Sequence, residues 1–169
     1  MKRNSLLSIS VLLTVVIGII AFLFVNSHIN RIQLEELNSN MLTPLQLGMS
    51  EKEVVAAIGE GIFQPGFGGY YLIYEDITVG FSEDLDNDLY QKVTVIEWNN
   101  ENYSVFGIRV GDTLETSINI LQREGFGLET ELIFNNGEYY VHLLADDGSR
   151  NIRSIRVSFE DKDLQDRYY

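Results

Sequence analysis

Two stretches of this chain read alike, and their spacing limits the folds open to it. Residues 47–59 (LGMSEKEVVAAIG) are answered by 110–121 (VGDTLETSINIL). Gly48 matches Gly111, Val55 matches Ile118 and Ile58 matches Leu121, each 63 positions apart. Further on, Ile77–Phe81 lines up with Tyr139–Leu143, and Lys92–Val95 with Ser154–Val157, at an offset of 62. One indel accounts for the series. The chain beyond Pro44 is therefore read as a duplicated unit, spanning about 46–108 and 109–169.

Each unit has the same local logic. A glycine turn precedes a helix start, where Ser50 with Glu53, and Asp112 with Glu115, fit a capping box. Val54, Val55 and Ile58 make one helical stripe; Leu114, Ile118 and Leu121 make the other. Gly59 and Gly125 suit the left-handed residue that ends a helix. Strands are expected over Tyr70–Tyr74, Ile77–Phe81 and Lys92–Trp98, then Leu128–Phe134, Glu138–Leu144 and Ile152–Phe159.

Ahead of this lies Ser5–Val25, 21 residues without a charge. As a helix it would span about 30 Å, the thickness of a bilayer's hydrocarbon core. Lys2 and Arg3 precede it, which places the N-terminus in the cytoplasm and the domain outside. The sequence thus predicts a cytoplasmic tip and transmembrane helix (1–25), a juxtamembrane helix or linker (26–45) and an extracytoplasmic domain (46–169). The alternative is secretion after cleavage near Ser27.

Charge and cysteine content exclude several functions. All 25 Asp and Glu follow the apolar run, against 10 of the 12 Lys and Arg, a net −15 for that part. Such a surface repels nucleic acid. The chain has no cysteine, so disulfides, thiolate metal sites and an acylated lipobox are ruled out.

The order Gly-x-Ser/Thr, short helix, glycine, then Tyr- and Val-rich strands resembles the BamE (SmpA) family of bacterial outer-membrane assembly lipoproteins. In tandem it is similar to the β-lactamase inhibitor protein family. Leu47, Gly48, Met49, Ser50, Glu53, Val54, Ile58 and Gly59 carry the likeness, followed by Tyr74, Val79 and Phe81, and by Gly111, Ile118, Leu121 and Val141 in the second unit. The resemblance implies a binding or scaffolding module rather than an enzyme. Two departures matter: the acylated cysteine of the first family and the disulfides of the second have no counterpart here.

Site candidates are few. Asp84, Asp86 and Asp88 place carboxylates at alternate positions, the pattern that Ca²⁺ requires, although Asp and Asn are also ordinary turn residues. Gly66-Phe67-Gly68-Gly69 lacks a neighbouring Lys or Arg, so it reads as a loop and not as a phosphate cradle. With Phe63, Phe67, Tyr70 and Tyr71 it offers a partner-contact surface. Of the two histidines, His142 falls in an expected strand, and no nucleophile–base set emerges.

The expected class is α+β: an N-terminal transmembrane helix, then two helix-plus-antiparallel-strand repeats forming one domain. The expected function is a membrane-anchored, extracytoplasmic protein-binding or scaffolding module, not an enzyme. It would contact the membrane through Ser5–Val25 and another cell-envelope protein through its aromatics. The alternative is a small-ligand or calcium-binding sensor, with Ca²⁺ the one cofactor considered.

Overall fold

The structure is a computed structural model and describes residues 13–22, 34–66, 68–85, 89–130, 132–145, 148 and 150–159. The chain divides into two compact units, Met1–Glu36 and Leu37–Tyr169. In the first unit, 13–22 is helical. No helix among the described residues is long and apolar enough to cross a membrane. The expected anchor over Ser5–Val25, the single-pass localisation and the membrane contact are corrected accordingly. Residues 5–12 and 23–25 of that run, and the cleavage position near Ser27, lie outside the described residues.

The second unit is mostly β, which corrects the expected α+β architecture of a transmembrane helix followed by helix-plus-strand repeats. Among the described residues a helix over 34–39 runs into this unit, and the two helices within it are short: α1 (Glu51–Ile58) and α2 (Leu114–Arg123). Strands dominate. A small antiparallel ribbon joins β1 (Met41–Leu42), β6 (Ser104–Val105) and β7 (Ile108–Arg109). The main sheet has eight antiparallel strands: β2 (Ile62–Gly66), β3 (Gly69–Ile73), β4 (Ile77–Ser82), β5 (Val93–Trp98), β8 (Gly127–Thr130), β9 (Ile133–Asn136), β10 (Tyr139–Ala145) and β11 (Ile152–Phe159). Their order is β2-β3-β4-β5-β11-β10-β9-β8. Four strands thus step inward from each edge, and β5 meets β11 at the centre.

Two features shift the balance toward β. Pro65 argues against a strand in sequence, yet β2 is an edge strand, where proline is tolerated. The single strand expected over Leu128–Phe134 is in fact a hairpin, β8 with β9, turning through Leu132 at φ 63°.

Helix starts follow local chemistry. The Glu53 carboxylate accepts from the Ser50 N–H (2.7 Å) and Oγ–H (2.6 Å), which holds its pKa below the usual carboxylate value. At α2 the cap is Thr113, whose Oγ1 accepts from the Thr116 N–H; Asp112 instead accepts from the Arg109 N–H. Both turn glycines are tied to the sheet: Gly48 N–H donates to Val93 O and Gly111 N–H to Ile152 O, each at 2.8 Å.

The core lies on one face of the sheet. Register aligns Phe63, Leu72, Val79, Ile96, Val157, Val141, Phe134 and Leu128 in one row across all eight strands. Directly opposed residues share a face. Five of the six inner residues of this row are 0% exposed and Leu72 is 4%, whereas its ends, Phe63 and Leu128, are 62% and 60% exposed. Tyr70 and Tyr74 share this face with Leu72, and they bond to Glu51 and to the carbonyl of Gly59 at the two ends of α1. Helix α1 therefore packs here. Residues 37–45 join the compact unit, with Leu37, Met41 and Leu45 buried, so the core begins earlier than the boundary read from Pro44.

Candidate interaction face

Among the described residues, α1 leaves the opposite face of the sheet uncovered. Register sets two further rows there, one residue per strand. The first runs Gln64, Tyr71, Gly80, Val95, Ser158, Tyr140, Asn135, Gly127. The second runs Ile62, Ile73, Thr78, Glu97, Arg156, His142, Ile133, Thr130. Tyr71, Ile73, Thr78, Val95, Glu97, His142, Ile133 and Asn135 are half-buried, and Arg156 is exposed. Three positions in these rows are fully buried: the small Gly80 and Ser158, and Tyr140, which is 3% exposed.

Tyr71 explains the buried Gly80. A Cβ on Gly80 would lie 2.9 Å from Tyr71 Cε1, and one on Gly66 would lie 2.6 Å from Tyr71 Cε2. The ring therefore lies across two glycine backbones. It shields their peptide bonds and presents its own apolar surface outward.

The electrostatics of the face are unusual for this chain. Of 25 Asp and Glu, only Glu97 falls in the two open rows. Its carboxylate accepts from Arg156 Nε (2.8 Å) and lies 2.7 Å from Nη2, while Ser154 Oγ donates to the other oxygen at 2.8 Å. Beside Arg156, His142 has its pKa pushed down, first by burial and then by the neighbouring guanidinium, with Glu97 opposing. At neutral pH the imidazole is therefore uncharged. The face is close to neutral in a chain of net charge −13.

The expected contact residues separate. Tyr71 lies on the open face. Phe63 and Tyr70 lie at the edge of the covered face, where Phe63, Tyr70 and Phe81 form a stacked series with ring centroids 5.4 and 4.8 Å apart. Phe67 lies outside the described residues. So do Asp86 and Asp88; Asp84 is half-buried, and its N–H donates to Ser82 Oγ at 3.2 Å. Among the described residues no group of three or more His, Cys, Asp or Glu is placed to hold a metal. His142 has Arg156 and Ile133 as its row neighbours, neither a nucleophile.

The Glu97–Arg156 pair was not anticipated. The two residues are 59 apart in sequence, and only the adjacency of β5 and β11 brings them together. Strand alternation could have flagged Tyr71, Val95 and Glu97 as one face, but not which face the helix leaves uncovered.

Fold and face together define a mostly β protein, with an eight-stranded antiparallel sheet beside a small three-stranded one. No family model matches the chain, and no curated protein matches it. Among solved structures it is similar to an extracellular protein containing a SCP domain from Bacillus anthracis, with a TM-score of 0.51 and 14% identity. The similarity covers 70% of this chain and 45% of that one, so it spans less than half of the other protein. At this identity it speaks to the fold alone.

Proposed function

We propose that this chain is an extracellular protein-binding module that engages another protein through the open face of its sheet. The observation that supports this is the exclusion of carboxylates from that face. A bare antiparallel face in an acidic chain should carry many of its acids, because that is where they are hydrated. Here the open rows hold Tyr71, Val95, Ile73 and Ile133 around one neutralised ion pair. Charge depletion with tyrosine enrichment is the composition of the core of a protein–protein interface. The partner chemistry that fits is a neutral, partly apolar protein surface with a polar group able to reach Glu97 or Arg156.

Site-specific photocrosslinking tests this. A photoreactive residue at Val95 or Ile133 should capture one protein, and Tyr71→Glu should abolish that capture. The same probe at exposed Glu115 on α2 should not capture it. Equal capture from α2 and from the sheet, or capture insensitive to Tyr71→Glu, overturns the proposal.

A further inference from the structure

We infer a second binding site, at the N-terminal end of α1, for an organic cation: an alkylammonium or guanidinium group on an apolar stem. An open cleft there is lined by Ser50, Glu51, Lys52, Phe63, Tyr70 and Glu83, with Gln91 at its rim. Its volume is about 540 Å³, against about 60 Å³ for the hollow beside Trp98, which has room for little more than water.

Three kinds of group converge in it. The first is aromatic. Tyr70 is stacked between Phe63 and Phe81, which fixes its ring, and Phe63 keeps much of its surface in solvent. An exposed aromatic face attracts a cation and shelters its methylenes. The second is the Tyr70 hydroxyl. It donates to Glu51 Oε2 at 2.6 Å, which leaves its oxygen lone pairs as acceptors polarised by that bond. The third is carboxylate. Glu51 and Glu83 both act electrostatically on Tyr70, and neither has a salt bridge among the described residues. Glu83 is held at the cleft by its N–H bond to the Gly68 carbonyl at 2.9 Å.

A helix N-terminus ordinarily favours anions. Here Glu51 and Glu53 already occupy that end of α1, and Glu83 adds a further negative charge. An anionic ligand is therefore repelled. An ammonium has acceptors in Tyr70 Oη, Glu83 and Glu51, with Phe63 beside its stem. Lys52 lines the same cleft and acts as a built-in competitor. The site lies on the opposite side of the sheet from the open rows, so it stands or falls separately from the protein-binding face.

The test is a titration of the full chain, followed by NMR of the Phe63 and Tyr70 ring signals. The probes are N-acetyl-lysine methylamide, N-acetyl-arginine methylamide and spermidine, with the neutral norleucine analogue as control. Saturable shifts at the two rings with the cationic probes, and none with norleucine, are the expected result. Glu83→Gln should weaken binding about tenfold, Phe63→Ala by a similar factor, and Lys52→Ala should strengthen it. Tighter binding of the amino-acid amides assigns the cation to a partner's side chain; tighter binding of spermidine assigns it to a free amine. Absence of saturable ring shifts, equal response to norleucine, or affinity unchanged by Glu83→Gln in a folded variant overturns the inference.

Discussion

The Arg156 guanidinium lies 2.7 Å from the Glu97 carboxylate and spans the two central strands of the sheet, β5 and β11. The side chains are 46% and 24% exposed, so water screens the pair in part. Ser154 adds a third group to the cluster. Glu97→Ala leaves both donors without their acceptor and should lower stability by about 1 kcal/mol. A double-mutant cycle of Glu97→Gln with Arg156→Met should give a coupling of at most about 1 kcal/mol by urea denaturation. A much larger coupling would mean that the pair is the anchor of the sheet rather than a feature of its surface.

The glycine at the start of β3 is under a tighter constraint. A Cβ on Gly69 would lie 1.9 Å from the Phe81 carbonyl oxygen, inside the backbone of β4. No side-chain rotation relieves such a contact, so the strands must separate. Gly69→Ala should cost about 3 kcal/mol. Gly59→Ala meets nothing within 4 Å, but φ +86° with ψ −174° is a backbone region that essentially only glycine adopts, which should cost about 2 kcal/mol. Thermal or chemical denaturation of the two variants checks the ranking; equal losses would contradict it.

The contrast between these glycines shows what the sequence could reveal. Gly59 and Gly125, both at φ +86°, end helices, and their place after an apolar stripe made that legible. The need for glycine at Gly69 or Gly80 is set by atoms of Phe81 and Tyr71 brought near by strand pairing. Strands β4, β5, β10 and β11 were readable from alternation because they are central and apolar. Strand β2 was not, because Pro65 and an exposed edge erase the usual signal. The apolar stretch before Asn26 met the length and hydropathy of an anchor, yet no helix among the described residues is long and apolar enough to cross a membrane. The open face was hidden for a different reason. Its identity depends on where α1 packs, and the bonds that fix α1, from Tyr70 and Tyr74, join residues 19 and 15 positions apart.

His142 gives the fold a specific pH dependence. Burial and Arg156 hold its folded-state pKa below the ordinary 6.5. The unfolded chain therefore takes up the proton first as pH falls. Stability from this group is complete above about 6.5, declines as pH drops below that value, and levels off once the folded imidazole is also protonated. His142→Gln should remove that part of the slope. An NMR titration of the His142 ring should give a midpoint below 6.5; a midpoint at or above it would contradict the packing described.

The sheet's two edges are each blunted, and the proline does this at β2. Pro65 pairs with Tyr70, and having no N–H it cannot share a mutual hydrogen-bonded pair. Its missing donor therefore faces away from β3, toward the open edge, as do the N–H and C=O of Phe63 two residues earlier. Ile62 and Phe63 are 75% and 62% exposed there, a surface that would otherwise invite a further strand. At the opposite edge the register of β8 shifts between Leu128 and Thr130, which interrupts its ladder. Pro65→Thr restores an outward donor beside two exposed apolar side chains. The variant should self-associate more readily than the parent, with a sedimentation coefficient that rises more steeply with concentration. Identical behaviour of the two proteins would show that Pro65 does not guard the edge.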